Sequence, residues 1–136
     1  MGVFPIGNQR VGIVTDVQVL DDDGQPMVSE FGEPVTTESV VWWDGCVLEM
    51  QTLDELQGLT VSSSEVAVVV GPVDGDQIPA VDDDDNPAPV AVAALKSDHR
   101  LRCEGRTYVM RGDAVLHKDI RGRAEHVECR CEHEEG

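Results

Sequence analysis

The chain is predicted to be all-β, a small antiparallel barrel or sandwich of about six strands with long acidic loops. Three observations predict this. Valine is abundant and sits in short runs between Gly, Pro or Asp clusters, which favours strands over helices. Aromatic residues are few (two Trp, one Tyr, two Phe), so the core must rest on Val, Leu, Ile and Ala. Residues 101–131, LRCEGRTYVMRGDAVLHKDIRGRAEHVECRC, alternate apolar and polar side chains between tight turns and read as three short strands. A length of 136 residues fits one domain with a modest core.

Breaker residues divide the chain. Residues 1–10 carry Gly2, Pro5 and Gly7 and read as an irregular N-terminal arm. Residues 11–20 alternate as a strand and end at Asp21-Asp22-Asp23-Gly24-Gln25-Pro26, a strong turn signal. Residues 27–38, broken by Gly32 and Pro34, read as a long hairpin tip or loop. Strand character returns at 39–43, with Asp44-Gly45 as a turn or bulge and 46–51 as a further strand segment. TLDELQG, residues 52–58, is the one helix-like stretch: Thr52 can cap it, Glu55 follows three residues on, and Gly58 stops it. Residues 65–70 form a buried strand closed by Gly71-Pro72. After it, 73–89 read as a solvated, mobile acidic loop, since Asp82–Asp85 repel one another and Pro79, Pro87 and Pro89 bar a ladder. Residues 90–95 lead into the C-terminal strands as a short strand or turn. There Tyr108 and Met110 face opposite to Val109. No internal repeat stands out.

Charge is distributed unevenly. The net charge is −17, and residues 11–95 hold 18 acidic side chains and no Lys or Arg. Residues 96–136 are balanced, nine against nine. A nucleic-acid binder needs clustered cations, so the acidic portion is excluded as a DNA grip and repels phosphate instead. Solubility is the bland account of such acidity. No stretch is long enough to span a bilayer, and residues 1–10 lack the pattern of a signal peptide, so a soluble, cytoplasmically made protein is expected.

Reactive constellations are weak. Cys129-x-Cys131-x-His133, with Cys46 or Cys103 as a fourth ligand, lacks the knuckle spacing of a zinc site, and small apolar packing is the expected role of these thiols. Asp21-Asp22-Asp23-Gly24 starts like a calcium loop, yet the twelfth position is Gly32. Arg111-Gly112-Asp113 is ordinary turn chemistry. His99, His117, His126 and His133 fall in no catalytic motif, and Ser62-Ser63-Ser64 is not a nucleophile elbow. The residues therefore argue against an enzyme, and no metal or cofactor is expected.

The order Gly105-Arg106-x-Tyr108, Gly112, a loop, Gly122, then His126-Val127-Glu128-x-Arg130 resembles the C-terminal signature of phage head-to-tail stopper proteins of long, non-contractile-tailed actinobacterial phages. Val40-Val41 running through Trp42-Trp43-Asp44 into Gly45-Cys46 and Leu48 is a second, looser match. Together they cover roughly half of the chain. The resemblance implies a virion neck protein assembled in the host cytoplasm as a ring of about twelve copies. The ring would sit below the portal and adaptor, hold the genome in its lumen without specific binding, and dock a tail terminator or tail tube. It also places the channel gate in an inter-strand connection, here assigned to Thr52, Leu53, Asp54, Glu55, Leu56, Gln57, Gly58 and Leu59. Two alternatives stay open: another neck component such as a tail terminator, and a solitary acidic β-domain that binds a ligand or cation.

Overall fold

The computed structural model describes residues 6–51, 66–97 and 99–133. The fold is all-β, as the Val runs predict. Its strands are β1 (Gln9–Gln18), β2 (Thr36–Gln51), β3 (Val66–Gly71), β4 (Gln77–Ile78), β5 (Val90–Ala91), β6 (Arg100–Cys103), β7 (Arg106–Met110), β8 (Val115–Lys118) and β9 (Ala124–His133). A single turn of 3-10 helix, Val92–Ala94, follows β5.

The main sheet runs β3-β2-β1-β6-β7-β9-β8, all neighbours antiparallel, and β9 pairs back onto β3. β1, β2, β3, β9, β7 and β6 thus form a closed barrel, which leaves no free edge in the circuit. β8 continues from β7 along the part of β9 that runs past β7, Ala124 to Glu128.

Alternation decides what fills the barrel. Val11 and Ile13 of β1, Trp43 and Cys46 of β2, Ala67 and Val69 of β3, Leu101 and Cys103 of β6, Tyr108 and Met110 of β7, and Val127, Cys129 and Cys131 of β9 all point inward and are buried. Trp43 fills the space left by a residue with no side chain. A Cβ on Gly71 would collide with its indole ring and would come within 2.8 Å of the Cys46 sulfur. The buried indole N–H is satisfied by the Pro72 carbonyl at 3.0 Å. Gly45 (φ +81°) makes the bulge at the Asp44-Gly45 break: the β1–β2 register slips between Gln9 and Val11, and β2 continues through as one strand.

The predicted boundaries need correction at several places. Gln9 and Arg10 belong to β1 and not to an irregular arm, because Gln9 pairs with Cys46. The C-terminal segment holds four strands, not three: Val115–Lys118 also forms a ladder, with β9. β7 and β8 follow one another along the same side of β9, opposite β3, so β6, β7 with β8, and β9 run as a meander of consecutive antiparallel neighbours. Residues 73–89 are not a free loop. Ile78 and Ala80 enter the core cluster with Val92 and Leu95, and Val81 exchanges two backbone hydrogen bonds with Trp42 (2.7 and 2.9 Å). Burial of those apolar side chains holds the segment as a strap across the barrel, while Asp74–Gln77 and Asp83–Pro87 face solvent. The helix-like residues 52–58 lie outside the described residues.

One turn is used four times, a repeat hidden by divergent side chains. Asp21, Ser29, Asp82 and Asp119 each open a turn with the same hydrogen bonds. The side-chain oxygen accepts from the N–H groups two and four residues on, as from Asp23 and Gln25 to Asp21. The residue three places on, Gly24, Gly32, Asp85 or Gly122, has φ between +63° and +81°. The residues flanking each turn pair as Leu20–Pro26, Val28–Pro34, Val81–Pro87 and Lys118–Ala124. A short acceptor side chain at the first position and a left-handed residue at the fourth are what this closure demands.

Candidate functional site

Three exterior features carry the unassigned chemistry. The first is an arm. β6 covers β1 only from Gly12 to Val14, so the β1–β2 hairpin continues beyond the barrel, from Thr15 out and back to Ser39, with no third strand beside it among the described residues. Its apex is three short extended pieces whose backbones bond in a cycle: Met27 N–H to Val19 O (2.8 Å), Val35 N–H to Met27 O (3.0 Å), and Val19 N–H to Val35 O (2.9 Å). Residues 27–38 are therefore the arm's return path, and strand pairing resumes at Thr36. The arm exposes Leu20, Met27, Val28 and Phe31, the last at 83%. Asp16, Asp21, Asp22, Asp23, Glu30 and Glu33 make it acidic, with no cation among them. At its base, β6 supplies the missing charge: Arg100 pairs with Asp16 at 2.6 Å and Glu38 at 3.5 Å, and Arg102 pairs with Glu38 at 3.0 Å. The hydrogen bond from Arg102 holds the Glu38 carboxyl below its ordinary pKa.

The second feature is the outer wall around Trp42. Its ring lies over Gly12, where an added Cβ would touch Cζ3 at 3.0 Å. The indole N–H donates to Asp83 at 2.9 Å, and the Arg10 guanidinium stands 5.3 Å from the ring centroid. Arg10 also pairs with Asp44 (2.9 Å) and Asp85 (3.6 Å), which anchors the tip of the strap.

The third is a cleft of about 360 Å³ on the outer face of β8 and β9, lined by Arg111, Asp113, Val115, His117, Glu128 and Arg130. His117 meets Glu128 at 2.8 Å and stacks on His126 at 4.6 Å between centroids. Arg111 pairs with Glu132 at 2.5 Å. Arg130, Lys118 and Arg121 have no ion pair among the described residues. At the ribbon's tip Ile120 is fully exposed, and the Arg123 and Arg121 N–H groups hold the Asp119 carboxyl below its ordinary pKa.

The signature residues divide between turn and wall. Gly105 (φ +79°) and Glu104 (φ +53°) make the β6–β7 turn, and Arg106 opens β7. Tyr108 is buried beside the ring of His133, at 5.6 Å, and burial raises its phenol pKa. Gly112 (φ +90°) and Gly122 take left-handed turn positions, while His126, Glu128 and Arg130 share the outer face of β9. The structure thus brings His126, Glu128 and Arg130 together and leaves Gly105 and Arg106 at a separate turn. The candidate gate, Thr52 to Leu59, lies outside the described residues. The cleft itself was missed by sequence reasoning, because Val115 and His117 belong to the unpredicted β8.

The four thiols are inside. Burial and mutual proximity push Cys129 and Cys131 up to about 12 and raise Cys46 and Cys103. Cys131 donates weakly to the Ala67 carbonyl at 3.6 Å. Among the described residues no three His, Cys, Asp or Glu side chains converge in a metal-binding group. No helix among the described residues is long and apolar enough to cross a membrane. No family model matches this chain, and no curated protein matches it either.

Proposed function

We propose that this chain is a phage head-to-tail stopper: a virion neck protein that rings the DNA channel below the adaptor, retains the packaged genome and receives the tail. The observation that carries the reading is a closed antiparallel barrel whose β6–β7 turn, β7 and β9 bear the Gly105-Arg106-x-Tyr108 and His126-Val127-Glu128-x-Arg130 elements in the family's order. The acidic surface supports it. A channel wall rich in carboxylates repels a phosphate backbone and lets it slide without sticking. About twelve copies would form the ring, with the 52–59 segment meeting at the axis as the plug.

Removal of the protein tests the reading. Packaged DNA is under self-repulsion and bending stress, so an open channel releases it. Heads lacking this protein should fill, lose their DNA and never join tails, while free tails accumulate. Purified protein added to freshly filled heads should restore retention and tail joining. Tailed, infectious particles formed without it would refute the proposal, and shells that never package would assign the chain to an earlier step.

A further inference from the structure

The arm and the β8–β9 ribbon complement each other, yet within one molecule they do not meet. Strand directions follow from the registers: Val14 pairs with Arg100, Arg100 with Val109, and Val109 with Glu132. Hence β1 beyond Val14 and β9 before Val127 leave the barrel at the same end. In the circuit β1-β2-β3-β9-β7-β6 the strands β1 and β9 stand three places apart, on opposite sides of the barrel. One side presents five carboxylates at the apex with Phe31, namely Asp21, Asp22, Asp23, Glu30 and Glu33; the other presents Lys118, Arg121 and Arg130, interspersed with Asp113, Asp119, Glu125 and Glu128, around Ile120 and a cleft. An apolar apex held in solvent on a two-stranded arm is a surface that a partner normally covers.

We propose that the arm of one copy docks on the β8–β9 ribbon of the next, with Phe31 seated in the cleft against Arg130 and with Glu30 and Glu33 facing Lys118 and Arg121 of the neighbour. The reading deepens the ring assignment and rests on it for closure; the contact itself is read from charge and placement. Two different patches on opposite sides make a head-to-tail interface, which either closes into a ring or runs on as a filament. A guanidinium over an aromatic face and fresh ion pairs supply specificity, while the buried ring supplies affinity.

The charges also dictate a salt signature. At about 10 mM salt the screening length of about 30 Å lets the whole −17 charge of each copy repel the next. Near 0.1 M it falls to about 10 Å, so the bulk repulsion is screened while contact pairs persist. At about 1 M the contact pairs are screened as well. Association should therefore pass through a maximum at intermediate salt.

The test is sedimentation of the full chain at up to about 1 mM across that salt range, with charge-reversed variants. The wild type should associate near 0.15 M. Glu30→Lys/Glu33→Lys and Arg121→Glu/Arg130→Glu should each associate at least tenfold more weakly, and an equimolar mixture of the two should recover. A second readout needs no variant: carbodiimide coupling of mixed ¹⁴N and ¹⁵N protein should give an isotopically mixed peptide joining Glu30 or Glu33 to Lys118. Assembly unchanged by both reversals overturns the contact and leaves the ring standing. A wild type that stays monomeric throughout, without that cross-link, overturns self-docking. The neck reading falls separately, only if particles lacking this protein carry tails.

Discussion

Trp43 occupies the volume that a side chain at Gly71 would need, and its indole N–H reaches 3.0 Å past that glycine to the Pro72 carbonyl. The two residues are therefore one packing decision on facing strands. Gly71→Ala should cost about 1–3 kcal/mol, since a fully buried indole has nowhere to retreat. Trp43→Ala should cost about 3–5 kcal/mol through the cavity it leaves. Equilibrium urea unfolding of both variants checks the magnitudes, and the pair together should cost less than their sum.

The interior thiols should make the fold sensitive to alkali. Their pKa values are raised in the folded state, so the stability this represents is fully present below the unfolded thiol range and falls as pH rises through about 9 toward 12. Denaturant midpoints measured from pH 7 to 10.5 should decline above about 9. A variant with all four cysteines replaced by Ala or Val should lack that part of the decline. At pH 8, a thiol reagent should modify the native protein only as fast as it opens.

The repeated turn gives a matched set of sites. Gly24→Val and Gly122→Val place a β-branched residue at positive φ and should each cost about 1–2 kcal/mol or more. Asp119→Ala should lower the melting temperature at pH 7. Because the folded Asp119 carboxyl sits below its ordinary value, the wild-type advantage is present above about pH 4 and should vanish as pH falls through the folded value. Melting curves of both proteins between pH 2.5 and 7 should converge at the acid end.

The arm should be separable from the barrel. No residue between Val14 and Val41 joins the core cluster, and Gln18 pairs directly with Thr36. Replacing residues 18–36 by Asn-Gly closes the hairpin on Val17 and Thr37, a hydrogen-bonded pair of the ladder and so suited to a two-residue turn. The shortened chain should keep the wild-type circular dichroism and thermal midpoint while losing self-association.

Much of the barrel is legible in the sequence because its strands alternate cleanly. Tyr108 and Met110 inward with Val109 outward, the bulge at Gly45 and the stop at Gly71 all follow from local pattern. Three things were not legible. β8 reads Val-Leu-His-Lys, half-exposed and too short for periodicity to declare. The closure of β9 onto β3, on the side opposite β7 and β8, is a choice of partner, which alternation within a strand does not encode. The strap around Ile78 and Ala80 was obscured by four aspartates, whose repulsion is real only at the tip; two apolar side chains placed in the core outweigh it. The cleft depends on β8 and so was invisible for the same reason.

Barrel closure sets a temporal constraint during synthesis. The outer edge of β3, a run reading Val-Ala-Val-Val-Val, is covered by β9, and Ala67 meets Cys131 64 residues later in the chain. At a ribosomal pace of about 5–20 residues per second, that edge waits several seconds for its partner. An uncharged valine edge left open that long is a template for intermolecular pairing. Yield in the host should thus depend on the concentration of nascent chains and on holdase chaperones, even where the finished barrel is stable.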